Sequence, residues 1–185
     1  MKTQILIAVI ALQTAWVVGT VAIQEVRLHR GTLVLLETVP VDPRDLLRGD
    51  YVILRYKIST LSGSLFAGGL TNEAPAGTSI YVKLEKRGAF HEAQEASLTP
   101  LTGDAQHPVL HGNVASRSRW DTGNNTNRLA LVDYGLERFY VREGTGNPRG
   151  KLTTEVAVPA SGKGVIHQVF LDGKPYAEAM KNEAR

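Results

Sequence analysis

Residues 41–59 read VDPRDLLRGDYVILRYKIS, and the half from Asp50 onward decides the fold class. Val52, Leu54, Tyr56 and Ile58 fall on one side of an alternating run, and Tyr51, Ile53, Arg55 and Lys57 on the other. A period of two is the pattern of a strand with one buried face, so the first set is predicted to enter the core. Upstream, Asp42-Pro43 reads as an N-cap followed by Pro at the first helical position, giving one turn through Leu47. Gly49 permits a tight entry into the strand, and Asp50 can accept backbone N–H groups of the turn before it.

Working outward, the same period recurs. TLVLLETV (Thr32 to Val39) is β-branched and apolar, and SIYVKLEKRG places Ile80, Val82 and Leu84 on one face, with AFHEAQEASL as a hairpin partner. A strand is expected around Pro108 to Ala115. One or two short elements, broken at Gly135, are expected in LALVDYGLERFYV, and two strands in LTTEVAVPA and KGVIHQVFLDGKPY, where Asp172-Gly173 signals a tight turn. LSGSLFAGGLTNEAPAG, SRWDTGNNTNR and REGTGNPRGK read as loops, the first with room for a short helix. The expected fold is mainly β: one β-rich sandwich or barrel-like domain over residues 31–176, after an anchor helix at 1–30 and before a polar tail at 177–185.

The stretch Ile5 to Ile23, ILIAVIALQTAWVVGTVAI, carries no charge. As a helix it is about 28 Å long, close to the thickness of a bilayer's hydrocarbon core. Three readings stand: an uncleaved anchor, which the length favours; a cleaved signal with Thr20-Val21-Ala22 as its small-residue site; and a buried helix of a soluble protein. The flanking charges, Lys2 before and Arg27 and Arg30 after, are too balanced to fix orientation, and the favoured topology puts the domain outside the cytoplasmic membrane. Gln13, Thr14 and Trp16 are the candidates for helix–helix contact, because polar groups within a span turn toward protein.

Composition removes several functions. With 21 Lys+Arg against 18 Asp+Glu, a net charge of +3 and no basic run, nucleic-acid binding has no support. The absence of cysteine excludes disulfides, thiolate metal sites and a Cys nucleophile. Arg48-Gly49-Asp50 matches an adhesive tripeptide only by letters, since its Asp opens a strand. His107 and His111 have the spacing of helical zinc ligands, but Pro108 argues for a strand, where they stand about 13 Å apart and share no metal. His91 and His167 are isolated. GTGNPRG lacks the Lys-Ser/Thr ending of a phosphate loop. No metal or cofactor is therefore expected. The carboxylates Asp50, Asp133, Glu137 and Glu143 have no fixed spacing that marks a hydrolase. Arg138, Arg142 and Arg149, with Tyr134, Phe139 and Tyr140, form either a surface for an acidic or sugar ligand or a mixed strand face whose arginine stems cover apolar atoms.

Gly49-Asp50-Tyr51, Leu54 and Tyr56 together spell the pattern that gives the GDYXXLXY proteins their name, and the chain resembles that bacterial family. VDYGLERFYVREGTG and GKGVIHQVFLDGKPY extend the likeness over most of the chain after the apolar span. The resemblance implies a membrane-anchored protein, often encoded beside multi-spanning membrane proteins, and brings no catalytic residue with it. A more distant likeness of layout is to type I signal peptidases: an anchor, a Pro-containing turn, GDYVIL, then YVK. Lys83 matches their lysine by local motif. Their serine has no counterpart, because residues 39–42 are Val, Pro, Val and Asp and the nearest hydroxyl is Thr38. A Ser–Lys mechanism needs that hydroxyl within reach of the amine.

The expectation is thus a non-catalytic accessory or assembly subunit, held in the bilayer and against a multi-spanning membrane protein. Its alternatives are an anchored binding module for an envelope ligand, a self-assembling homo-oligomer, and a degenerate signal-peptidase-like protein. The residues that bear on the choice are Gly49, Asp50, Tyr51, Leu54, Tyr56, Lys83, Tyr134, Glu137, Arg138 and Glu143, besides the three in the helix.

Overall fold

The computed structural model describes residues 2–39, 51–67, 74–115, 129–141 and 150–183. Gly49, Asp50, Glu143, the Asp42-Pro43 turn and most of two of the expected polar loops lie outside them. Helix α1 runs over Lys2–Arg30. The strands are β1 (Thr32–Glu37), β2 (Tyr51–Ile53), β3 (Thr60–Ser62), β4 (Ser79–Arg87), β5 (Phe90–Ser97), β6 (Val109–Val114), β7 (Leu129–Asp133), β8 (Arg138–Tyr140), β9 (Leu152–Val158), β10 (Val165–Leu171) and β11 (Lys174–Pro175). Helix α2 covers Tyr176–Glu183.

The strands form three sets, in the orders β1-β9-β10-β11, β3-β7-β6-β4-β5 and the ribbon β2-β8. Together they make a nearly closed, barrel-like sheet. Side-chain and single-bridge contacts join the sets. The Leu35 N–H donates to His91 Nδ1 at 3.2 Å, tying β1 to β5, and Thr38 bridges to Tyr56, tying β1 to the end of the β2 segment. Lys57 pairs with Glu37 and Glu92 across the same seam.

The alternation read from the sequence is the alternation of burial. Val34 and Leu36, then Val52, Leu54, Tyr56 and Ile58, then Ile80, Val82 and Leu84, all point inward. The strand ladder itself is shorter than the pattern. β2 ends at Ile53 and a 3₁₀ turn covers Lys57–Ser59, yet the inward residues stay buried because pairing passes from β8 to Thr38. The hairpins follow their turn chemistry. Gly88 (φ 63) opens the β4–β5 turn, and Asp172 (φ 49) with Gly173 (φ 79) makes the two-residue β10–β11 turn. The C-terminal segment is held at its start: Tyr176 and Met180 are buried, and the Tyr176 ring meets Phe139 edge-on at 5.4 Å.

Helix α1 joins the domain through one residue, Gly31. A Cβ there would stand 2.8 Å from the Val158 nitrogen and 2.9 Å from the Ala157 carbon, so the backbones are in direct contact. Ala157 is fully buried although its strand neighbours Val156 and Val158 are the ones that face the core, because the helix end covers it.

Candidate functional site

The motif strand β2 has one partner, β8, in the register Tyr51↔Tyr140, Val52↔Phe139 and Ile53↔Arg138. The pairing brings together two stretches of like composition, DYVILRY and DYGLERFY. Inside the barrel they are cross-tied by their tyrosines. The Tyr56 hydroxyl donates to the Leu136 carbonyl at 2.7 Å, and the Tyr134 hydroxyl donates to the Ile58 carbonyl at 2.8 Å. Each phenol bonds the residue two places beyond the other. Burial pushes both phenols well above their ordinary range, so both remain donors at any physiological pH. The Leu54 N–H donates to the Glu137 carbonyl, and the Glu137 carboxylate accepts the Tyr134 N–H at 2.5 Å across the bend at Gly135 (φ 76).

These contacts assign four of the sequence-predicted residues, Leu54, Tyr56, Tyr134 and Glu137, to architecture. Leu54 and Tyr56 are core. Glu137 closes a turn. Tyr134, which one of the two readings of its group put on a ligand-binding surface, is buried, and Phe139 is half-buried against Tyr176, because the inward parity of β8 and the bend before it point both rings at the barrel interior. Lys83 sits half-buried on β4 between Glu95 of β5 and Val109 of β6. Its amine makes no hydrogen bond or ion pair with another described residue, so no nucleophilic hydroxyl is paired to it among them.

What remains outside is a small patch. Tyr51 and Tyr140 face out from the ribbon with ring centroids 6.0 Å apart, and the Arg138 guanidinium lies over the Tyr51 ring at 5.5 Å. Tyr140 is 70% exposed. A cation over one ring of an aromatic pair is a surface suited to a partner or ligand rather than to bond-breaking chemistry. Beside it, between the ribbon and β7, is a cavity of about 480 Å³ whose charged lining is Arg55, Asp133 and Glu137, with the buried Ser59 hydroxyl, which has no hydrogen-bond partner among the described residues, in its wall.

Sequence pattern groups Arg138 with Tyr140 but does not join them to Tyr51, 87 positions before Arg138. The available signal is that both stretches open with Asp-Tyr and close with a Tyr, although their spacings differ by one residue. In helix α1, Trp16 is 76% exposed, and Thr14 donates to the Ile10 carbonyl at 2.9 Å, so its hydroxyl is satisfied within the helix. The Gln13 side chain makes no hydrogen bond with a described residue. The histidines are structural or solvated: His91 accepts from Leu35, His111 stacks on Tyr81 at 4.8 Å, and His167 pairs with Glu155. No group of three potential metal ligands occurs among the described residues.

A family model described as GDYXXLXY protein matches residues 13–169, from the middle of α1 into β10. No curated protein and no solved structure matches the chain.

Proposed function

The chain belongs to the GDYXXLXY family, and from that premise we propose that it is a membrane-anchored, non-catalytic accessory or assembly subunit of a bacterial envelope complex. The observation that carries the proposal is the state of α1. Thr3–Arg30 has a mean hydropathy of 2.2 in its most apolar window and none of that window is buried. Leu12, Trp16, Val17 and Val21 are each more than half exposed. Each large apolar side chain left in water forgoes about 1.5–3 kcal/mol of burial, so the helix surface requires a bilayer, another protein, or both.

The bilayer accounts for the aliphatic side chains. Gln13 is the group it does not account for, since an amide in hydrocarbon seeks a hydrogen-bonding neighbour. We place the multi-spanning partner on that side of α1, with the domain on the extracytoplasmic side and Tyr51, Arg138 and Tyr140 as a second contact. Replacing Gln13 and Thr14 together by Leu keeps the helix apolar and should loosen co-purification of the partner. Unchanged assembly would leave α1 as an anchor only.

The exposed Tyr51–Arg138–Tyr140 group supports one further reading, a binding face for an envelope ligand such as a glycan. Under that reading Arg138→Ala and Tyr140→Ala abolish ligand capture while membrane assembly is unaffected.

A further inference from the structure

We propose that the cleft at the junction of α1 and the domain is a binding site for a phospholipid headgroup, in particular a phosphodiester that carries its own amine. The cleft measures about 620 Å³, within the range of about 300–1,000 Å³ typical of small-molecule sites. Arg30 and Thr32 form one wall, and Tyr81, Thr102, Asp104 and Ser161 contribute to the others.

Its position follows from the junction. Gly31 alone separates α1 from β1, and its backbone lies against Val158 and Ala157, so the domain does not swing on a linker. Arg30 is seven residues beyond Ile23, the last residue of the apolar run, hence about 10 Å farther along the helix axis. The interfacial layer on each side of a bilayer is about 5–8 Å deep. With the helix upright, the Arg30 backbone therefore stands about 2–5 Å above the headgroup layer, a gap its long side chain can span, at a height the fold fixes.

Its chemistry fits the same ligand. Arg30 makes no ion pair with another described residue, and Arg27 adds a second positive charge one turn before it, while the nearby Glu25 carboxylate is paired with His29. A guanidinium takes a phosphodiester through two parallel hydrogen bonds, and the Thr32, Thr102 and Ser161 hydroxyls are further donors. Asp104 accepts the Gln106 and His107 N–H groups through Oδ1, where the His107 ring also stands at 3.4 Å, and its other carboxylate oxygen makes no bond with a described residue. One cation and one carboxylate match a zwitterionic phosphoethanolamine better than a doubly anionic ligand.

The inference rests on α1 being a spanning anchor, and alkaline carbonate extraction of membranes tests that premise by itself. The cleft is tested on the full chain in detergent, by following thermal unfolding during titration with dihexanoyl-phosphatidylethanolamine and, separately, with inorganic phosphate. The lipid should raise the midpoint saturably. Arg30→Gln should weaken its apparent affinity at least about tenfold, the loss of a charged hydrogen bond. Ser161→Ala should weaken it less, and Arg87→Gln, at the distant β4–β5 turn, should leave it unchanged. An equal response to inorganic phosphate, or an Arg30→Gln protein that titrates like the parent, would overturn the proposal.

Discussion

Removing one hydroxyl of the tyrosine cross-tie tests the structural account of the motif. Tyr56 is 1% exposed and bonds the Leu136 carbonyl; Tyr134 is 7% exposed and bonds the Ile58 carbonyl. Tyr56→Phe keeps the ring and its packing and leaves a buried carbonyl without its donor, which costs about 1–3 kcal/mol. Tyr134→Phe should cost a similar amount. For a chain of this size about 1 kcal/mol moves the melting midpoint by about 2–4 °C, so each variant should melt about 2–12 °C lower. The two losses should not add. Both bonds join the same pair of segments, 56–58 and 134–136, and once one is gone the pair can separate slightly and satisfy the orphaned carbonyl with water. The double variant should fall short of the sum by about 0.5 kcal/mol or more. Tyr140→Phe, at an exposed hydroxyl, is the control and should stay within about 0.5 kcal/mol. Urea unfolding of the detergent-solubilised protein, followed by far-ultraviolet circular dichroism, measures all four. If Tyr56→Phe cannot be told from Tyr140→Phe, or if the two buried substitutions add fully, the cross-tie does not hold the ribbon to the barrel.

Three other outcomes follow from particular contacts. Burial holds His91 and His111 below the ordinary histidine range, with Lys86 and Lys163 acting the same way. The unfolded chain then binds more protons than the folded one below about pH 6.5, so stability is full above that value and falls as pH drops through it; a His91→Gln, His111→Gln protein should show a flatter decline in urea midpoint between about pH 7.5 and about pH 5.5. Gly31→Ala sets a Cβ against the backbone of Val158 and Ala157 and should cost about 1–3 kcal/mol, whereas Gly19→Ala, with open space around it, should cost nothing; thermal melts of the two distinguish them. Arg138→Ala removes the cation from the Tyr51 ring at the surface and should leave stability within about 1 kcal/mol, while weakening partner or ligand capture if the patch is a contact.

The fold was largely legible because its core is written in period two. Val52-Leu54-Tyr56-Ile58 and Ile80-Val82-Leu84 needed only alternation to be assigned inward, and Asp172-Gly173 needed only the demand of a tight turn for positive φ. The shortness of β2 was not legible, since alternation records which way side chains point and not which strand supplies the hydrogen bonds. The candidate site was less legible for a related reason. Tyr134 looks from its neighbours Asp133 and Arg138 like a surface aromatic; its burial depends on the bend at Gly135 and on an acceptor, Ile58, 76 positions away. The cleft beside Arg30 depends on three segments far apart in sequence meeting at the helix end, and Gly31 gave no sign of that until its contact with β9 was seen. Lys83 shows the reverse. Its local motif is suggestive, and only its surroundings show that it has no hydroxyl partner among the described residues.

The accessory-subunit reading is tested most directly by purifying the full-length protein from its native membrane in mild detergent and identifying what accompanies it by mass spectrometry. A multi-spanning membrane protein recovered in constant stoichiometry, and reduced when Gln13 and Thr14 are replaced by Leu, is the predicted result. A protein that elutes alone, or only with copies of itself, would contradict it.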